Sequence, residues 1–424
     1  MTAPLGGSPR AGHPSQDEMS ERTMTLVAAK ELAPPQAPWM WRQICAMTAL
    51  DRELMYWLPA GTHDVPEIGI PVHVLDVDPA PFHGRGRWLF RARRLHCRNF
   101  YAARGRERAG IKSLIEERRP AALLCYYGEV ALRSIDIAHE MHVPVIAYFH
   151  GGPDLAHNRW YRWSLQRRLG RFAQIVVVNH EERRWMLDEG VPPERVHVIP
   201  CGAPTDAFVP KVERSPGGIR FVIASRLVAQ KGCVESIAAF AEVAAVHPDA
   251  SLDVYGDGPA RGDLMAEVAV RQLGERVRFH GHVDSATLAT ELPRYDVFLQ
   301  HSLGNEGSPV SIVEAMACGL AVVTTTVGGN VDLVADGVTG FLVEQGDVAA
   351  MCRAMTRLAA DDTLRIKMGL QARRRAVEQF DAVEMAKRLE QVVVLASGDK
   401  AGVLGSASFP GVGDRTSMTG RGVR

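Results

Sequence analysis

Two glutamates, Glu306 and Glu314, bracket the most informative stretch of the chain, EGSPVSIVEAMACGLAVV (306–323). Gly307 and Pro309 fit a loop that runs into a helix start. Glu306 is then expected ahead of the helix, in a cleft, with Glu314 about one turn inside it. Ser308 and the backbone of Gly307 to Val310 fall at the helix N-terminus, where N–H groups without intrahelical partners suit a hydroxyl, phosphate or carboxylate. Taken alone, the pattern describes an acid complementing a helix dipole equally well. Upstream, IASRLVAQKG (223–232) ends a strand at Ser225 and follows it with Arg226, Lys231, Gly232 and a helix from about Cys233. Two cations beside a helix N-terminus form a diphosphate clamp; an isolated Arg–Lys pair is more often two solvated charges. In YGDGP (255–259), Gly256 and Gly258 permit positive φ and close backbone approach to a ligand. In RVRFHGHVD (276–284), Gly281, His282 and Val283 close another strand where a base can stack and bond to backbone. One such loop is weak evidence; four in order are strong. His150 ends PVIAYFH (144–150) and precedes Gly151-Gly152; as an isolated residue it reads as a partly buried strand-end histidine.

These loops need strands to hold them. MTLVAAKEL (from Met24), VHVLDV (72–77), ALLCYY (122–127), PVIAYFH and QIVVVN (174–179) read as buried strands, separated by helical segments such as Val130 to Met141. A second series follows: IRFVIAS (219–225), SLDVYG (251–256), RVRFHG (276–281), DVFLQHS (296–302), AVVTTT (321–326) and the short GFLVEQGD (340–347). Such alternation predicts an α/β fold of two doubly wound, Rossmann-like parallel sheets with helices on both faces. The expected layout is a disordered segment over 1–22 and a first domain over 23–203. A Pro/Gly-rich linker over 204–218 leads to a second domain over 219–380, and a disordered tail fills 397–424. Two such domains face each other across a cleft, and ligands bind beyond the carboxyl ends of their strands.

The chain has 424 residues, with 49 basic against 49 acidic and 46% hydrophobic. The composition excludes a wholly disordered chain. The zero balance argues against a nucleic-acid partner. It conceals an asymmetry: residues 1–205 hold 26 basic and 22 acidic side chains, the remainder 23 and 27. Seven scattered cysteines without C-x-x-C spacing read as reduced and cytosolic, with no metal site. Neither a secretory signal nor an apolar run long enough to span a bilayer is visible. Residues 85–119 carry 12 Arg and Lys against 3 Glu, with Trp88, Phe90, Phe100 and Tyr101 interleaved. Such a stretch, from Arg85 to Arg119, reads either as an anionic membrane surface contact, peripheral on the inner face of the cytoplasmic membrane, or as a solvated helix face. Asp76-Val77-Asp78 matches a D-x-D metal motif, but it sits inside an apolar strand and D-x-D recurs often by chance.

Over residues 219–350 the motifs SRLVAQKG, YGDGP, FHGHV, EGSPVSIVEAMACGLAVVTTTVGG and DGVTGFLVEQGD resemble the retaining GT-B glycosyltransferases of family 4, also called group 1. YYGEVALRSIDIAHEMHVPVIAYFHGGPDL (126–155) resembles the acceptor-domain segment of that family more loosely. KELAPPQAPWMWRQICAM (30–47) replaces the glycine-rich first loop of many relatives and is similar to the exopolysaccharide branch. The resemblance implies that Arg226 and Lys231 bind the donor diphosphate and that Glu306 contacts the donor sugar. Gly307, Ser308, Pro309 and Val310 lie near sugar and phosphate, Glu314 holds the ribose, His282 and Val283 take the base, and His150 stands at the reaction centre. Gly256 and Gly258 complete the nucleotide-binding loops. It implies no metal and no cofactor beyond the nucleotide-diphosphate sugar, an acceptor glycan or lipid-linked glycan, and a place in exopolysaccharide or cell-envelope biosynthesis. It also implies a C-terminal helix, 381–396, that crosses back to the first domain. A nucleotide-sugar epimerase, a phosphorylase-like enzyme and a non-catalytic nucleotide-sugar-binding protein remain alternatives to a hexosyltransferase.

Overall fold

The computed structural model describes residues 23–30, 38–57, 68–75, 99–151, 159–211, 217–304 and 306–398. The expected disordered ends, Asp76-Val77-Asp78, Gly152 and the arginines from Arg85 to Arg98 lie outside the described residues.

The first sheet has seven strands: β1 (Met24–Lys30), β2 (Asp51–Trp57), β3 (Val72–Leu75), β4 (Ala122–Tyr126), β5 (Val145–Tyr148), β6 (Gln174–Val177) and β7 (Val196–Val198). Their order is β3-β2-β1-β4-β5-β6-β7 and every pairing is parallel. Alternate residues of a strand point to opposite faces, and both faces here are covered. Leu26 and Ala28 of β1 pack with Ile111, Leu114, Val130, Ile135, Leu165 and Met186 from helices on one side. Val27 and Ala29 pack on the other side with Met40, Trp41, Ile44, Met385, Leu389 and Val393. A strand buried on both faces has no polar alternation, which is why β1, β4, β5 and β6 stand out in the sequence as unbroken apolar runs.

Strands β2 and β7 carry no such signal. Asp51, Arg52 and Glu53 open β2, and Glu53 uses its charge on two neighbours, accepting from His73 Nε2 at 2.6 Å and pairing with Arg118 Nε at 3.1 Å. Only Leu54 to Trp57 are buried. β7 is a three-residue edge strand.

The second sheet has six strands: β8 (Arg220–Ala224), β9 (Ser251–Tyr255), β10 (Val277–Gly281), β11 (Val297–Gln300), β12 (Ala321–Thr325) and β13 (Gly340–Val343). They run β10-β9-β8-β11-β12-β13, again all parallel. Phe221, Ile223, Leu252, Val297 and Val323 face one helical layer. Val222, Phe298 and Val322 face helices 310–317 and 362–379. The two sheets are therefore two doubly wound α/β lobes, and each reverses its strand order next to its first strand, at β1/β4 and at β8/β11.

The last helix, Ala382–Ser397, is capped by Asp381, whose carboxylate accepts from Val383 N and Glu384 N. It packs on helix Pro38–Ala46 and on β4 and β5. The chain thus leaves the second lobe and finishes on the first.

Candidate active site

Glu306 and Lys231 meet at the carboxyl ends of the second sheet. Lys231 Nζ donates to both carboxylate oxygens of Glu306, at 2.9 Å each. Ser302 Oγ donates to Oε1 at 2.8 Å and accepts in turn from Gln300 Nε2 at 3.0 Å. Gln300, Ser302 and Glu306 are all buried, so the carboxylate is fixed by a lysine on one side and a closed hydrogen-bond chain on the other. Arg226 is exposed beyond β8, and Lys231 closes the short turn that precedes Gly232 and helix Cys233–Val246. Gly232 sits at φ +58°, and a Cβ there would stand 1.7 Å from His301 O. No other residue type fits that turn.

Helix Val310–Ala317 begins after Pro309, with Glu314 in its second turn. Glu306 precedes it in the loop. The loop is clasped by backbone: Gly329 N donates to Glu306 O at 3.0 Å, and a Cβ on Gly329 would stand 1.9 Å from Gly307 O. Glu314 is buried, and burial pushes its carboxyl up to about 7 against the opposing pull of Arg42. Arg42 Nη2 lies 3.8 Å from Glu314 Oε1.

The first lobe closes the site from the other side. Gly307 faces His150 and Gly151 so closely that a Cβ on it would stand 2.9 Å from His150 O and 3.0 Å from Gly151 Cα. Cys201 N donates to Ser308 Oγ at 3.2 Å, and Asn179 Nδ2 donates to Gly307 O at 2.9 Å. His150 is packed among aromatic rings: parallel to Tyr126 at 5.5 Å, with Trp39 at 4.6 Å, Tyr127 at 4.9 Å and Tyr148 at 4.0 Å. Burial pushes its pKa down to about 3, so the imidazole is neutral. The Cys201 thiol lies 3.9 Å from Nδ1; burial pushes that thiol well above its ordinary range, which leaves it protonated and inert.

Lys231, Glu306, Gly307, Ser308 and His150 are thereby drawn together, with Glu314 one turn further along the helix. Gly256 and Gly258 lie in the adjoining loop, at φ +126° and +158° and against the carbonyls of Ser225 and Leu227. Val283 packs beside Tyr255, Leu288 and Tyr295, whereas His282 is exposed. Pro309 has no N–H, so the helix start offers only the donors on either side of it.

Sequence reasoning missed Ser302, Asn179 and Arg42. Ser302 stands one short loop before Glu306, a proximity that could have flagged it. No spacing connects Arg42 or Asn179 to residues of the other lobe.

The basic stretch looks different in three dimensions. Helix Gly105–Arg118 buries Glu107, Ile111, Leu114 and Ile115. Three of its cations pair with acids: Arg108 with Glu140, Lys112 with Glu116 and Glu140, and Arg118 with Glu53 and Glu117.

The paired parallel lobes and the glutamate-bearing loop at their junction define the GT-B architecture of sugar-transferring proteins. The family model described as glycosyl transferases group 1 matches residues 205–375, and that described as glycosyltransferase family 4 matches residues 65–207. The chain belongs to the group 1 glycosyltransferases. Solved structures share the fold. Anabaena Alr3699/HepE, crystallised with UDP, has a TM-score of 0.70 at 18% identity, covering 88% of this chain and 99% of that one. A sucrose-phosphate synthase from Thermosynechococcus elongatus has a TM-score of 0.70 at 20% identity, covering 88% and 98%. Among curated relatives, a phosphatidylinositol N-acetylglucosaminyltransferase protein of Arabidopsis thaliana is 31% identical over 195 residues, 46% of this chain and 43% of that protein. A Mycobacterium tuberculosis glycogen synthase is 27% identical over 306 residues, 68% and 73% of the two chains. A GDP-mannose-dependent phosphatidylinositol monomannoside mannosyltransferase of Mycolicibacterium smegmatis is 30% identical over 243 residues, 54% and 64%. The chain therefore spans less than half of the plant relative. Among the described residues no helix is long and apolar enough to cross a membrane.

Proposed function

We propose that the protein transfers a sugar from a nucleotide-diphosphate sugar to a glycan or lipid-linked glycan, with retention of anomeric configuration and without a metal ion. The observation that carries this reading is Lys231 held on both oxygens of Glu306 at the mouth of β8 and at the threshold of helix 310–317.

The chemistry follows from the charges. As the sugar–phosphate bond breaks, negative charge collects on the departing diphosphate and positive charge on the sugar ring. Arg226, Lys231 and the helix N-terminus stabilise the diphosphate. Glu306 faces the sugar hydroxyls. Its two oxygens already accept three hydrogen bonds, from Lys231 and Ser302, which makes it a poor covalent nucleophile. The reading is instead attack from the face that the diphosphate leaves, the departing oxygen taking the acceptor's proton. His150, held neutral by burial, does not oppose the cationic ring by charge. The close contact of Gly307 with His150 and Gly151 supports exclusion of water from the bond being broken.

Names among the relatives support the substrate class: one is GDP-mannose-dependent and acts on a phosphatidylinositol mannoside, and one structure holds UDP. The resemblance of residues 30–47 to the exopolysaccharide branch favours a cell-envelope acceptor. The test is a panel of UDP-, GDP- and ADP-sugars with lipid-linked acceptors, scored by nucleotide release and by the anomeric configuration of the product, each with and without EDTA. Release that needs the acceptor and survives EDTA is expected. Failure with every donor, an inverted product, or loss in EDTA overturns the corresponding part.

A further inference from the structure

Helix Pro38–Ala46 belongs to the first lobe, yet the side chain of Arg42 ends in the second. Nη1 donates to Ser285 Oγ at 3.2 Å, and Nη2 lies 3.8 Å from Glu314 Oε1. Buried Nε has no hydrogen-bond partner among the described residues. The guanidinium is thus held across the cleft with donors to spare, and burial lowers its pKa despite the nearby carboxylate. Glu314 is in the same condition, a buried carboxylate whose facing cation stands too far off for a hydrogen bond.

A separation of 3.8 Å leaves room for one oxygen to touch both groups. A phosphate there is repelled by Glu314, and an ammonium by Arg42. A neutral hydroxyl satisfies both, because its oxygen accepts from the guanidinium while its proton is donated to the carboxylate. We propose that Arg42 and Glu314 together grip one ribose hydroxyl of the bound nucleotide, so that the first lobe contributes a residue to the donor site. This rests on the reading in which Glu314 faces the ribose. It adds that the nucleotide bridges the lobes, and that its affinity reports whether they are closed.

Titration calorimetry on the full chain tests the idea with UDP, GDP and ADP and with the 2′-deoxy and 3′-deoxy form of each. The wild type is expected to prefer the ribonucleotide over one of the deoxy forms by about tenfold, roughly one charge-assisted hydrogen bond. Arg42→Ala is expected to remove most of that preference while leaving affinity for the deoxy form nearly unchanged. Arg42→Met, which keeps the aliphatic packing, serves if the alanine variant does not fold. Glu314→Ala should also erase the preference, and the double variant should lose little more than either single one. An equal loss for ribo and deoxy forms in the Arg42 variants, or no loss, overturns the proposal. Preference surviving in Glu314→Ala overturns the ribose reading beneath it. No binding of any nucleotide overturns both.

Discussion

Lys231 is the only cation on Glu306 among the described contacts, and the carboxylate is buried. Removing one partner of such a pair strands the other. Lys231→Ala is therefore expected to lower donor turnover by about two orders of magnitude or more, in line with loss of a preorganised charge at a leaving group, and to lower the melting temperature as well. Nucleotide release at saturating donor, with a parallel thermal scan, checks both; near-wild-type kinetics would remove Lys231 from the site. Glu314 yields the opposite kind of prediction. Its ordinary value is 4.5 and burial raises it to about 7. The folded chain thus holds a proton there that the unfolded chain releases, and stability is lost as pH rises between those values. Glu314→Gln removes that loss. The variant should melt above wild type at pH 8, with the gap closing towards pH 5; a constant gap would contradict the assignment. The charged residues of the site were legible in the sequence because strand-end position and order carry meaning. Arg42 was not, because only the tertiary fold brings position 42 to position 314.

At the scale of elements, the site depends on backbone more than on side chains. Gly328 and Gly329 follow β12 and press on Glu306 and Gly307, where Cβ atoms would stand 2.1 Å and 1.9 Å from carbonyl oxygens. Neither carbonyl can retreat, because Glu306 is tied to Lys231 and Ser302 and Gly307 O accepts from Asn179. Gly329→Ala is expected to reduce the melting temperature by several degrees and activity by more than the stability loss explains. A folded variant with unchanged turnover would show that the loop tolerates displacement. The same elements show where sequence reading succeeds. Runs such as QIVVVN or PVIAYF are read from composition alone, but β2, opened by three charged residues, is held as a strand by its pairing with β1 and β3, with His73 and Arg118 answering Glu53. Its alternation is supplied by its neighbours.

For the whole molecule, the informative contacts cross between lobes. His180 N donates to Asp332 Oδ2 at 2.7 Å, and His180 Nδ1 lies 3.2 Å from Oδ1. The hydrogen bond to Asp332 raises the histidine's pKa above 6.5. Its stabilising contribution is full below that value and fades as pH rises through the raised one. Asp332→Asn should therefore cost more in melting temperature at pH 6 than at pH 8.5, since the amide keeps an acceptor for His180 N but no charge for the imidazole. An identical deficit at both pH values would mean that the imidazole charge contributes nothing. The opposed charge of the two halves was countable in the sequence, but the pairing of helix 105–118 with Glu53 and Glu140 was not, since those partners are remote along the chain.

The backbone-to-backbone approach of Gly307 to His150 has a kinetic consequence. Asn179, Cys201 and His180 are also bonded across the gap, so under the proposed function the nucleotide product is expected to be enclosed when the new glycosidic bond forms. Its release is expected to require these contacts to break. Under that function the parting of the lobes, rather than the chemistry, is the expected slow step, so turnover should fall with solvent viscosity; turnover independent of viscosity would contradict it.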